Sequence, residues 1–188
     1  MEENRVQWYG YAGVRHTIRT MNAPASKSEI KRTEIIQAVA LHLLEEGFNN
    51  SGIRALASSA GLKSDRMLMY YFETKEELVT AALMWIADGL EAQLETIMPA
   101  NSASANEILE TLTAAGRTKA VRPMIRLFFE VVGLSVRGEE PYASIVRIIL
   151  KNWESWIERK LRANQKHRAP EILAALEGTL MVELLTQP

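Results

Sequence analysis

The chain has 188 residues, 47% hydrophobic and 24% charged, with a net charge of −1, the profile of a soluble protein with room for one sizeable core or two small ones. It contains no cysteine, which excludes disulfides, thiolate zinc sites and thiol catalysis, and fits a reducing cytoplasm. No apolar run reaches the length of a membrane span.

Residues 1–25 do not read as a folded element. Trp8, Tyr9 and Tyr11 are interrupted by Gly10 and Gly13, Pro24 closes the segment, and the continuous apolar core of a signal peptide is missing. One reading is a flexible tail, or sequence upstream of a start at Met21. The other is a basic arm, with Arg15, His16 and Arg19, that reaches into a DNA minor groove.

The first helix is expected from Ser26, where Ser-Lys-Ser-Glu forms a capping box with Glu29. Ile35, Val39 and Leu43 give it one apolar stripe, Gly47 ends it, and Phe48 turns back onto the core. Next, Ile53, Leu56, Ala57 and Ala60 recur at helical spacing, started by Ser51 or Gly52 and stopped at Gly61. Ser64 N-caps a further short helix with Asp65 in its first turn. Met67, Leu68, Tyr71 and Phe72 are expected to face inward on it, with Arg66, Met69 and Tyr70 facing out. Thr74 and Glu77 form a capping box for the helix that follows. Two short helices joined by a glycine turn are the pattern of a helix-turn-helix, whose second helix enters the DNA major groove. The near-neutral net charge opposes a nucleic-acid partner, but Lys27, Lys31, Arg32, Arg54, Lys63, Arg66 and Lys75 gather in or near this unit. Phosphate senses local charge, because salt screens beyond roughly 8–10 Å.

The segments RTEIIQAVALHLLEEGF (Arg32–Phe48), SGIRALASSAGL (Ser51–Leu62) and YYFETKEEL (Tyr70–Leu78), in this order and spacing, resemble the DNA-binding domain of TetR-family transcriptional regulators. The turn from Gly61 to Phe72 is one residue longer than the commonest family pattern, and Met69 stands where many members carry a DNA-contacting tyrosine. The resemblance places phosphate contacts at Lys31 and Arg32, which otherwise read as a solvated helix face. On this reading the recognition helices, Ser64 to Tyr71, enter successive major grooves, Ser51, Arg54, Tyr71 and Lys75 hold phosphates, and Arg66, Met69 and Tyr70 face base edges.

From Thr74 a long helix is expected to about Ile97, with Leu78, Ala82, Trp85, Ile86 and Leu90 on its inner face. Residues 99–104 (PANSAS) have linker composition. The rest reads as helices opened by Ser104 with Glu107, Pro123, Pro141 and Pro170. The expectation is an all-α chain: a tail (1–25), a three-helix DNA-binding domain (26–73), a connecting helix (74–98), and a helical bundle for ligand binding and dimerisation (99–188). Trp85, Met98, Phe128, Phe129, Trp153 and Trp156 are either plain core or the lining of an apolar effector pocket. Arg126 is a surface residue or a partner for an acidic group on a ligand. The last helix is apolar over more than one stripe, including Leu173, Leu176, Leu180 and Leu184, which argues for a helix–helix dimer. The resemblance agrees, placing the dimer seam on the last two helices.

No phosphate loop, HExxH, GxSxG or triad spacing occurs, and His16, His42 and His167 are too scattered for a metal site. Neither an enzyme nor a cofactor is expected. Two functions remain. One is a cytoplasmic, homodimeric regulator, most simply a repressor, that binds a palindromic double-stranded operator and is released by a small apolar effector. The other is a helical assembly protein whose helix-turn-helix serves packing alone.

Overall fold

The computed structural model describes residues 26–98, 100 and 103–186. The expected tail, with its Arg15, His16 and Arg19 arm, lies outside the described residues, as do Pro99, Asn101 and Ser102 of the expected linker. Among the described residues the chain forms eight α-helices: α1 (Lys27–Glu46), α2 (Ile53–Ser59), α3 (Asp65–Tyr71), α4 (Lys75–Glu95), α5 (Ala105–Gly116), α6 (Arg122–Val136), α7 (Tyr142–Lys160) and α8 (Ala169–Thr186). Short 3₁₀ turns occupy Phe48–Asn50 and Ala163–Arg168. The only extended pairing described is an isolated bridge between Ala103 and Leu161. The fold is all-α, as expected, and no described helix is long and apolar enough to cross a membrane.

Helix starts follow local chemistry. Ser26 and Glu29 form the full capping box, as do Ser104 and Glu107. At α4 the arrangement differs from the expected box. Thr74 accepts from the Glu77 N–H, but the Glu77 carboxylate reaches one residue further back, accepting from the Glu73 N–H at 2.8 Å. Its second oxygen is drawn away by Arg32, 2.6 Å distant.

Two apolar cores share α4. The first joins Ile35, Val39, Leu43, Leu56, Leu68 and Leu78 to Leu127, Val131, Ile145 and Ile149. The second gathers Leu90, Leu94, Ile108, Leu112, Trp156, Ile157, Leu176 and Leu180. Burying each such side chain stabilises by about 1.5–3 kcal/mol. A polar clamp fastens α4 to α7: the Trp156 Nε1–H donates to Glu95 at 2.8 Å, and the buried Lys160 ammonium donates to the other Glu95 oxygen. The Lys160 hydrogen bond, chief among several causes, holds the Glu95 carboxyl below its ordinary pKa.

Candidate nucleic-acid interface and apolar cavity

The helix-turn-helix is shaped by one glycine. Gly61 has φ +66°, a conformation side chains disfavour, and there the chain turns so that the Leu62 N–H donates to the Ala57 carbonyl at 2.9 Å. Ser64 then accepts from the Met67 N–H and starts α3. With seven residues, α3 buries Leu68 alone, and Phe72 beyond its end completes the contact. The remaining surface faces outward: Arg66 is exposed, as are Met69 and Tyr70, the last at 78%. Met67, expected to point inward, is 45% exposed, because a helix this short rests on the core along one narrow line. It widens the apolar part of the outer face. Tyr71 is half-buried, its ring edge-on to Tyr70 with centroids 5.0 Å apart.

The surrounding cations divide into free and committed. Arg54 is exposed and Lys75 half-exposed at the ends of α2 and α4, while Lys31 pairs with Glu34 at 3.0 Å on the surface. Arg32 is committed. It pairs with Glu77, donates to the Tyr71 carbonyl at 3.4 Å and lies 4.4 Å over the Phe72 ring. Its guanidinium braces α1 against the α3–α4 junction instead of standing free for phosphate. Ser51 is 2% exposed; the 3₁₀ turn tucks it inside, and Gly52 takes the N-cap position of α2 without a side-chain hydrogen bond.

In the other half of the molecule an apolar cavity of about 110 Å³ lies where the two cores meet. Leu83, Ile86 and Leu90 of α4, Leu112 of α5, Phe128 and Phe129 of α6, Trp153 of α7 and Leu173, Leu176 and Leu180 of α8 line it. Three of the six aromatic or Met residues expected in a pocket are therefore brought together. Trp85, Met98 and Trp156 do not line it. Trp85 packs against the first core, Met98 is buried in the second, and Trp156 is turned away by its bond to Glu95. The sequence reading missed Glu177, a carboxylate in the same wall. Burial raises its pKa.

Cavity and helix-turn-helix unit are connected through α6. The Glu130 carboxylate accepts from the Phe48 N–H at 2.6 Å, just past the end of α1. Gly47 has φ +77°, and a Cβ there would lie 3.2 Å from the same carboxylate. Arg126 donates to the Leu44 carbonyl at 3.2 Å, so it belongs to this joint and not to the cavity lining. The Phe48 ring meets Tyr142 of α7 edge-on at 5.1 Å.

On α8, Leu176 and Leu180 are buried within the chain, at 7% and 6% exposure, Leu173 lines the cavity, and Leu184 is half-buried. Leu176 and Leu180 therefore face inward, away from the seam expected of them, while Leu173 and Leu184 lie at the boundary. The outward face carries Ala174, Ala175, Gly178, Met181, Val182 and Leu185. Among the described residues, no group of three His, Asp or Glu could hold a metal ion.

These features define a class of protein: a helix-turn-helix head joined by a shared helix to a cavity-bearing helical bundle. Solved structures place the fold more narrowly. A TetR-family transcriptional regulator from Cytophaga hutchinsonii superposes with a TM-score of 0.69 at 14% identity, covering 88% of this chain and 89% of its own. The multidrug binding protein EbrR complexed with imidazole gives 0.66 at 20% identity, covering 84% and 86%. EbrR complexed with proflavin gives 0.62 at 21% identity, covering 84% and 91%. No protein-family model matches the chain, and no curated protein matches it in sequence. The chain has the fold of the TetR-family regulators.

Proposed function

We propose that this protein is a homodimeric, ligand-responsive transcriptional regulator, most simply a repressor, whose α3 helices read successive major grooves of a palindromic operator. The observation that carries this reading is the double role of α6. Phe128 and Phe129 on it line the cavity, while Arg126 and Glu130, each within four residues, hold the end of α1. A ligand that presses on the aromatic pair displaces the helix that anchors the head.

Each contact has a role in this scheme. Arg54, Lys75 and Lys31 meet phosphates, while Arg66, Met67, Met69 and Tyr70 present one cation and three apolar or aromatic groups to base edges. Arginine takes guanine O6 and N7 together, and apolar side chains meet the thymine methyl. Two protomers join through the outward face of α8, where Ala174 and Gly178 allow close approach and Met181, Val182 and Leu185 supply apolar area. Ligand binding displaces α6 and α4 and alters the separation of the heads. Heads no longer matched to about 34 Å release the DNA. The ligand shifts that equilibrium only by its preference for the displaced form. The binding of imidazole and proflavin by the neighbour EbrR supports a small-molecule effector for this cavity.

The testing experiment is selection of bound duplexes from a random pool, followed by mobility shift at rising salt. The expected outcome is an enriched palindrome whose log K falls linearly with log salt. Failure to retain any duplex at low salt would overturn the regulator and leave the helical assembly protein, with its helix-turn-helix used for packing alone.

A further inference from the structure

We propose that the cavity is a site for a lipophilic aromatic cation, with Glu177 as its counter-charge and Phe128, Phe129 and Trp153 as its aromatic wall. This deepens the regulator reading by naming the chemical class of the effector, and it rests on the cavity being the effector site.

Among the described residues every other lining side chain is apolar or aromatic, Glu177 is the one charged group, and no Lys, Arg or His contributes to the wall. Glu177 is half-buried and has no hydrogen-bond or ion-pair partner among the described residues, unlike Glu183 six residues on, which is held by Arg117. A carboxylate facing an apolar wall without a partner destabilises the empty protein. A bound cation removes that cost, a neutral ligand leaves it in place, and an anion adds repulsion. The aromatic faces favour the same ligand, because the quadrupole of a ring attracts cationic charge. Burial already shifts the carboxyl towards its neutral form, and a cation reverses that shift.

The walls also show where the cavity can grow. A Cβ on Gly116 would collide with a terminal methyl of Leu180, so α5 and α8 pack closely there. Met124, Ile125, Phe128 and Phe129 of α6 are each only half-buried. A multi-ring ligand, larger than the present 110 Å³, therefore gains its room by moving α6, the helix that holds the end of α1.

The experiment uses a matched three-ring series on the full-length protein without DNA: 10-methylacridinium, neutral N-methylacridone and acridine-9-carboxylate. Binding is read by calorimetry and by quenching of tryptophan emission. The wild type should bind the cation best and the anion worst. Glu177→Gln should weaken 10-methylacridinium by about tenfold or more while leaving N-methylacridone within about twofold. Because Glu177 holds no partner, the variant should melt no lower than the parent. Should the wild type bind the neutral or anionic probe as tightly as the cation, or bind none of them, the proposal is overturned without recourse to the variant. Unchanged cation affinity in Glu177→Gln overturns it equally. DNA binding, measured separately, keeps the two readings apart. Retention of the cation without any duplex binding supports the site and rejects the regulator, whereas duplex binding without cation preference rejects the site alone.

Discussion

In the reading head, Ile35, Val39, Leu43, Leu56, Leu68 and Leu78 are fully buried, and Arg32 ties three helices together over the Phe72 ring. Around the cavity, Ile125, Phe128, Phe129 and Trp153 are only half-buried, and an unpartnered carboxylate sits among them. On the proposed function, one region is packed to hold a shape and the other is packed to change one. A head that must match a rigid duplex gains from stiffness, because every degree of freedom lost on binding costs affinity. A wall that must admit a ligand needs neighbours that can part, and close-packed interiors resist parting. On the proposed function, α6, which touches both regions as α4 does, is where their behaviours are coupled.

The largest expected effect tests where the compliant region ends. Leu180 faces the tight α5–α8 contact, so Leu180→Glu buries a carboxylate with no partner and should cost several kcal/mol, enough to unfold the bundle. Val182→Glu lies on the outward face of the same helix and should leave the fold intact while splitting the proposed dimer. Circular dichroism and sedimentation of both variants check this. A folded monomer from Leu180→Glu would return Leu180 to the seam, and a dimeric Val182→Glu would move the seam off this face.

Next in size is the head against the wall. Leu68→Ala should destabilise by about 2–5 kcal/mol, because the surrounding core has no room to collapse. Phe128→Leu, in a wall with slack, should cost under about 1.5 kcal/mol. Urea unfolding of the two variants measures the difference. Equal losses would show that the wall is as tightly packed as the head, and the compliance argument would fail.

Within the head, positioning separates from reading. Arg66→Ala should cost about 1–3 kcal/mol on the selected operator and far less on random duplex. Lys75→Ala should weaken both alike and lower the salt slope by about one unit. The ratio of operator to random affinity decides: if Lys75→Ala collapses it and Arg66→Ala does not, the two roles are exchanged.

What the sequence revealed and what it hid follow the range of the interactions involved. Caps are local. Ser26 with Glu29, Ser64 with Met67 and Ser104 with Glu107 close within three residues, so the helix starts can be read from the chain alone. The apolar period likewise marks the eight helices. Facing directions failed where two periodic stripes compete. On α8 every third or fourth residue is apolar on both sides, and only the docking of α5 and α7 decides that Leu176 and Leu180 go inside while Val182 and Leu185 stay out. Arg32 looked like a phosphate ligand because its acceptors, Tyr71 and Glu77, lie about forty residues away. The joint between Glu130 and Phe48 spans 82 residues and leaves no trace in any local pattern. Glu177 could have been suspected, since an acid flanked by Leu176 and Leu180 breaks an apolar stripe.

The smallest effect concerns Asp88, on the half of α4 between the two cores. Burial, with the Glu91 charge as a lesser cause, pushes its pKa from 3.8 up to about 6. Arg159 is engaged by Glu91 at 2.8 Å, and among the described residues no hydrogen bond or ion pair stabilises the Asp88 carboxylate. The folded protein therefore holds the Asp88 proton more tightly than the unfolded chain does. Between the two pKa values the native state binds more protons, so stability is highest below about pH 4 for this group and falls as pH rises to about 6. Above that the loss is constant. Asp88→Asn removes the charge, so it should stabilise the protein at pH 7.5 and make little difference at pH 4. Because Asp88 keeps partial contact with solvent, screening limits the gain to about 1 kcal/mol. Urea midpoints of parent and variant at the two pH values give the answer. A gain that persists at pH 4 would assign the effect to packing, and no gain at pH 7.5 would mean that α4 leaves Asp88 in water, with a softer junction between head and bundle than the buried faces of α4 imply.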